Sequence, residues 1–71
     1  MRTIEQETEC AALQCAIDEA LARGKMWDRI SDVAYARGLR SAGDAAGQCA
    51  INAYTQAETI SIELESKTEG R

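Results

Sequence analysis

Residues 36–50, ARGLRSAGDAAGQCA, decide how this chain folds. They hold three of its five glycines, Gly38, Gly43 and Gly47. Such a run reads as a phosphate-cradling loop, as a corner between helices, or as a thin helical surface cut to fit a neighbour. A phosphate loop needs a preceding strand and a GxGxxG or GxxxxGKS/T spacing, so that backbone N–H groups converge on the anion. Neither pattern is present. The corner fits better. Gly38 can take the left-handed C′ conformation that ends a helix, Arg37 stands at that helix's negative end, and Leu39 can supply the apolar contact of a Schellman ending. Ser41 is the best N-cap candidate in the chain, with Asp44 three residues later where a carboxylate favours a helix start. Gly43 and Gly47 then keep the opening turns of the next helix thin.

Outward from this corner the apolar spacing is helical everywhere, with no sustained alternation of period two and no proline. The expected class is all-α. A first helix spans about residues 3–23, with Glu5, Glu7 and Glu9 near its positive end, Arg23 near its negative end and Gly24 as its C′ residue. A short helix at about 27–37 carries Trp27, Ile30, Val33 and Ala34 on one stripe. A second long helix covers about 42–66, and the tail from Lys67 to Arg71 frays. The two long helices form an antiparallel hairpin, with the short helix at its turn.

Spacings of alternately four and three residues mark a seam on each long helix. One seam reads Gln6, Cys10, Leu13, Ile17, Ala20 and Gly24; the other reads Ala46, Ala50, Ala53, Ala57, Ile60 and Leu64. Antiparallel packing that sets larger residues against small ones pairs Cys10 with Ile60, Leu13 with Ala57, Ile17 with Ala53, Ala20 with Ala50, and Gly24 with Ala46. Leu21, Ile51, Tyr54 and Ile62 are left off the main seam.

At 71 residues, with eleven branched aliphatic side chains, thirteen alanines and no phenylalanine, the chain is near the limit of what one core can stabilise. Small domains close that gap with disulfides, metals or oligomerisation. Cys10 and Cys15 are about 140° apart around a regular helix, so they neither bridge nor share a metal there. There is no histidine and no CxxC, and the odd cysteine count fits reduced thiols. Neither metal nor cofactor is expected. Oligomerisation remains, and leftover apolar positions point to a homodimer forming a helical bundle, or to a larger protein partner. Glu5, Glu7 and Glu9 stand where the apolar core of a signal peptide would begin, and the uncharged run 45–57 is too short and polar to span a bilayer. The expected setting is cytoplasmic, away from membranes.

Charge is uneven. Residues 1–22 sum to minus four, 23–40 to plus three and 41–71 to minus three. An antiparallel hairpin gathers the basic residues at its turn, where Arg23, Lys25, Trp27, Arg29, Tyr35, Arg37 and Arg40 are candidates for contacting a protein partner or an anion. Five cations on an acidic chain make a nucleotide or nucleic acid the lesser expectation, and pairing of these cations with Asp28 and Asp32 is the plainer one. Residues 34–45 partly resemble a helix-turn-helix, through Ala34, Gly38 and Leu39. The pattern breaks at Arg37 and Asp44, which replace apolar residues, and the second helix begins without cations for DNA. Without histidine no Ser-His or Cys-His nucleophile is available, so no enzyme is expected. The expected function is non-enzymatic: a regulator or inhibitor that binds protein through helical surfaces. Its size, acidity and lack of catalytic equipment look like those of small inhibitors encoded by phages and mobile elements, a likeness of class that no motif carries. The alternatives are an anion binder using residues 23–40 and a self-assembling structural subunit.

Overall fold

The computed structural model describes residues 3–69. Two helices, α1 (Ile4–Ala36) and α2 (Arg40–Glu69), pack antiparallel into a rod of 55 × 15 × 10 Å. The start of α1 is fixed by a capping box: Gln6 N–H donates to Thr3 Oγ1 at 3.1 Å, and Thr3 N–H donates to Gln6 Oε1 at 2.9 Å. Two N–H groups that lack helical partners are thereby satisfied, and Glu5 and Glu7 complement the positive end of the helix dipole.

The chain is a hairpin, but no separate short helix at 27–37 exists; α1 runs unbroken through Gly24 to Ala36. Gly24 is an interior residue, not a helix end. A glycine there costs roughly 0.5–1 kcal/mol against alanine. What requires it is the Tyr54 ring from α2, which lies so close that a Cβ on Gly24 would sit 2.6 Å from it. The helix ends instead at the corner. Gly38 N–H donates to the Tyr35 carbonyl at 3.0 Å and Leu39 N–H to the Ala34 carbonyl at 2.8 Å, the paired bonds of a Schellman motif, with Gly38 at φ +79°.

Ser41 does not cap α2. Because the Schellman motif takes up residues 37–39, α2 begins immediately, and its first backbone bond runs from Gly43 N–H to the Leu39 carbonyl at 2.9 Å. Ser41 therefore lies within the first turn, and Asp44 accepts a hydrogen bond from the Tyr35 hydroxyl. At the other end α2 extends beyond residue 66, so Lys67, Thr68 and Glu69 are helical; Gly70 and Arg71, also expected to fray, lie outside the described residues. Lys67 Nζ is 3.9 Å from Glu9 Oε1, an exposed pair of small energetic weight.

The register also differs from expectation. Ile17 and Ala20 cluster with Ala57, against which Ile60 and Leu64 pack, so the two helices are slid past one another by about one heptad relative to the pairing of Ile17 with Ala53. Moving the turn to residues 37–39 causes the slide. A shift of one heptad keeps the side chains from Cys10 to Gly24 and from Ala46 to Leu64 on the seam with new partners, while Gln6, expected at its end, is exposed and caps α1. Ala20, Ala46, Ala50, Ala53 and Ala57 are buried together with Ile17, Ala34 and Ser31, while Cys10, Leu13, Ile60 and Leu64 are half-buried. The seam thus continues from Gly24 through Trp27, Ser31 and Ala34, meeting Gly43 on α2. Ser31 Oγ, the buried polar group, donates to the Gly43 carbonyl at 2.8 Å. Among the described residues no large side chain is fully buried.

The glycines separate two effects. Gly47→Ala adds a Cβ 3.6 Å from Ser31 Oγ, ordinary contact, and is expected to stabilise by about 0.5–1 kcal/mol in urea denaturation. Gly24→Ala should instead destabilise by about 1–3 kcal/mol through overpacking against Tyr54. In a Tyr54→Ala background the same Gly24→Ala change becomes stabilising; a penalty that persists there would place its cause elsewhere.

Candidate functional site

The hairpin has two unlike flanks, set by which neighbour of each seam residue faces which way. In an antiparallel pair, residues just after a seam position on both helices share one flank, and residues just before share the other. Tyr35 follows Ala34 and Tyr54 follows Ala53. Each tyrosine crosses a glycine of the opposite helix, Tyr54 over Gly24 and Tyr35 over Gly43, where a Cβ would approach the Tyr35 ring to 2.7 Å. Each hydroxyl then donates to a carboxylate: Tyr54 to Asp28 Oδ2 at 3.1 Å and Tyr35 to Asp44 Oδ1. This flank is closed by reciprocal ring-on-glycine contacts.

The hydroxyl protons are held tightly. Tyr35 has a raised pKa because its hydroxyl bonds to Asp44, with lost solvation and the Asp44 charge adding and Arg40 opposing. Tyr54 is raised first by lost solvation, then by its bond to Asp28 and that group's charge.

The other flank is open. Arg23, just before Gly24, donates from Nη2 to Oε1 of Gln56, just before Ala57, at 2.9 Å. Further toward the turn, Ile30, Val33, Ala34, Leu39 and Ala42 form an apolar groove that Arg29 and Arg37 also line. A continuation along α1 is lined by Ala22, Lys25, Met26, Arg29 and Ile30. Met26, Ile30, Val33 and Leu39 are between 42% and 55% exposed, so this is apolar surface facing solvent.

The candidate residues 23–40 therefore do not form one patch. Arg29 and Arg37 come together at the groove, with Lys25 beside its continuation, while Tyr35 lies on the opposite flank and Trp27 is half-buried on the seam. Arg40 opens α2. The expected pairing of these cations with Asp28 and Asp32 is not made among the described residues: Asp28 is turned to Tyr54. Ile30 and Val33, expected on one stripe with Trp27 and Ala34, are exposed. Continuity of α1 is the reason, since it puts Trp27, Ser31 and Ala34 on the seam and turns Ile30 and Val33 outward. The four-and-three spacing through Gly24, Trp27, Ser31 and Ala34 was the signal for this arrangement.

Among the described residues, no helix is long and apolar enough to cross a membrane, and no group of three or more His, Cys, Asp or Glu side chains is placed to hold a metal ion.

The tyrosines make stability depend on alkaline pH. Above about pH 10, the ordinary tyrosine value, the folded chain retains protons that the unfolded chain loses, so the contribution is whole below that pH and is lost as pH rises through the folded-state values. Thermal melts should hold steady up to about pH 10 and then fall more steeply for the native chain than for Tyr35→Phe/Tyr54→Phe. Parallel declines in the two proteins would show that the tyrosine–carboxylate bonds are not responsible.

Compared with known protein families, with curated proteins and with solved structures, the chain has no significant match.

Proposed function

We propose that the chain is a non-enzymatic regulator or inhibitor that works in the cytoplasm by docking on a larger protein through the open flank near its turn. The observation that supports this reading is the groove of Ile30, Val33, Leu39 and Ala42, exposed on a protein whose own seam is filled mainly with alanine. Burying exposed aliphatic side chains yields roughly 25 cal/mol per Å² of apolar area, and a partner gains this without rearranging the hairpin. Catalysis forms no part of the proposal, because the chain has no histidine and the groove is lined by apolar groups and arginines alone. The anion-binding reading of residues 23–40 has less support, since Tyr35 lies on the flank away from Arg29 and Arg37.

A second reading, self-association into a homodimer, is favoured by Ile51 and Ile62, 58% and 60% exposed on α2. Their separation, three helical turns, sets them about 20° apart around the helix and so on one stripe. Their position leaves the groove at the turn open for another protein.

Two experiments test these readings. Capture from the native host by immobilised protein should retain a partner that is lost with Val33→Asp and kept with Ile51→Asp; equal retention by both variants contradicts docking at the groove. Sedimentation at micromolar concentration should give a species of twice 7.7 kDa that Ile51→Asp/Ile62→Asp converts to monomer. A folded monomer of the native chain removes the homodimer and leaves the regulator reading untouched.

A further inference from the structure

We infer that the groove beside the turn receives an amphipathic helix whose flanks are acidic, presented by the partner protein. This rests on the protein-binding reading above and adds the chemistry of what is bound. Three features converge on it. The first is shape. Met26, Ile30 and Val33 repeat at helical spacing along α1, and Leu39 and Ala42 complete the apolar surface from the turn and α2. The exposed stretch along α1 from residue 26 to residue 37 is about 16 Å long, roughly three turns of an opposing helix. Such a helix offers apolar side chains at i, i+4 and i+7, the pattern used whenever a helix lies in a groove.

The second feature is charge. Arg29 and Arg37 line the groove, and neither guanidinium has a hydrogen-bond or ion-pair partner among the described residues. They are eight residues apart, about 12 Å along α1, so carboxylates two turns apart on the partner can meet both. Among this chain's own carboxylates near the turn, Asp28 and Asp44 are occupied by Tyr54 and Tyr35 on the far flank, and Asp32, three residues from Arg29, forms no ion pair with either arginine.

The third feature is what the other occupants would cost. A second copy related by a two-fold axis, groove on groove, brings Arg29 and Arg37 against their own counterparts, and like charges across an interface suppress that pairing. A nucleic acid would need stacking surfaces and polar contacts, whereas the groove floor is aliphatic.

The test uses two labelled helical peptides of about 14 residues, roughly four turns, with the same leucine stripe and with either glutamate or lysine on the flanks. Fluorescence anisotropy with the full chain should show the glutamate peptide binding at least tenfold more tightly than the lysine peptide. Val33→Asp, an exposed change whose folding is checked by circular dichroism, should weaken the glutamate peptide more than tenfold. Arg29→Glu/Arg37→Glu should invert the preference. Equal binding of the two peptides, or a preference that survives charge reversal, overturns the acidic partner. If capture of the native partner remains sensitive to Val33→Asp in that case, docking at the groove stands and only its chemistry fails. Glutamate-peptide binding indifferent to Val33→Asp overturns the location. A native-chain dimer that Val33→Asp dissociates assigns the groove to a second copy, and vesicles rich in phosphatidylserine that compete with the glutamate peptide assign it to a membrane; either result overturns the inference.

Discussion

Everything in this structure depends on how closely α1 and α2 approach, and that closeness is set by the absence of side-chain bulk along their contact. Ala20, Ala46, Ala50, Ala53 and Ala57 are almost completely removed from solvent, and Gly24 and Gly43 are covered by tyrosine rings. Packing contacts between small residues are short, so dispersion contributes along the whole length of the rod even though each alanine contributes little by itself. The two tyrosines convert a smooth interface, which could slide by a heptad, into one with a fixed register. Each ring fits only where the facing helix lacks a Cβ, and each hydroxyl reaches a carboxylate only in that position.

The same economy of bulk explains the surface. Ile17, Leu13, Ile60 and Leu64 occupy the seam at the end away from the turn, whereas toward the turn it is built mainly from alanine and glycine, and Met26, Ile30, Val33 and Leu39 there, with Ile51 and Ile62 on α2, face outward. On one flank the tyrosines and their carboxylates close the hairpin. On the other, aliphatic side chains and two arginines without partners among the described residues stay accessible near the turn. The corner itself is rigid, held by two Schellman bonds and a glycine at positive φ, so the groove between α1 and the start of α2 is presented in a defined shape.

Much of this was legible in the residues. The helical class, the corner at Gly38 and Leu39 and the start of α1 near Thr3 follow from local spacing and end chemistry, which act over a few residues, whereas the cap that Thr3 supplies goes unread in favour of Ser41. Gly24 was misread because a glycine at a helix end and a glycine beneath a ring look alike locally, and the ring belongs to Tyr54, thirty residues along the chain. The register was misread for a related reason: a pattern that repeats every seven residues fixes which side chains meet the seam without fixing which partner each one meets. The basic segment contains Arg29 and Arg37, but the apolar surface they border is hidden from a reading that breaks α1 at Gly24, because that break puts Ile30 and Val33 on one stripe with Trp27 and Ala34 instead of turning them away from the seam. One misplaced helix end therefore conceals the groove as well.

Nuclear Overhauser contacts between alanine methyl groups within one chain test the packing at its root. An unbroken α1 with the turn at residues 37–39 places the Ala20 methyl beside that of Ala57. A cross-peak between Ala20 and Ala57, with none between Ala20 and Ala50, is the expected result. A contact of Ala20 with Ala50 would return the helices to the earlier register, break α1 near Gly24 and remove the groove.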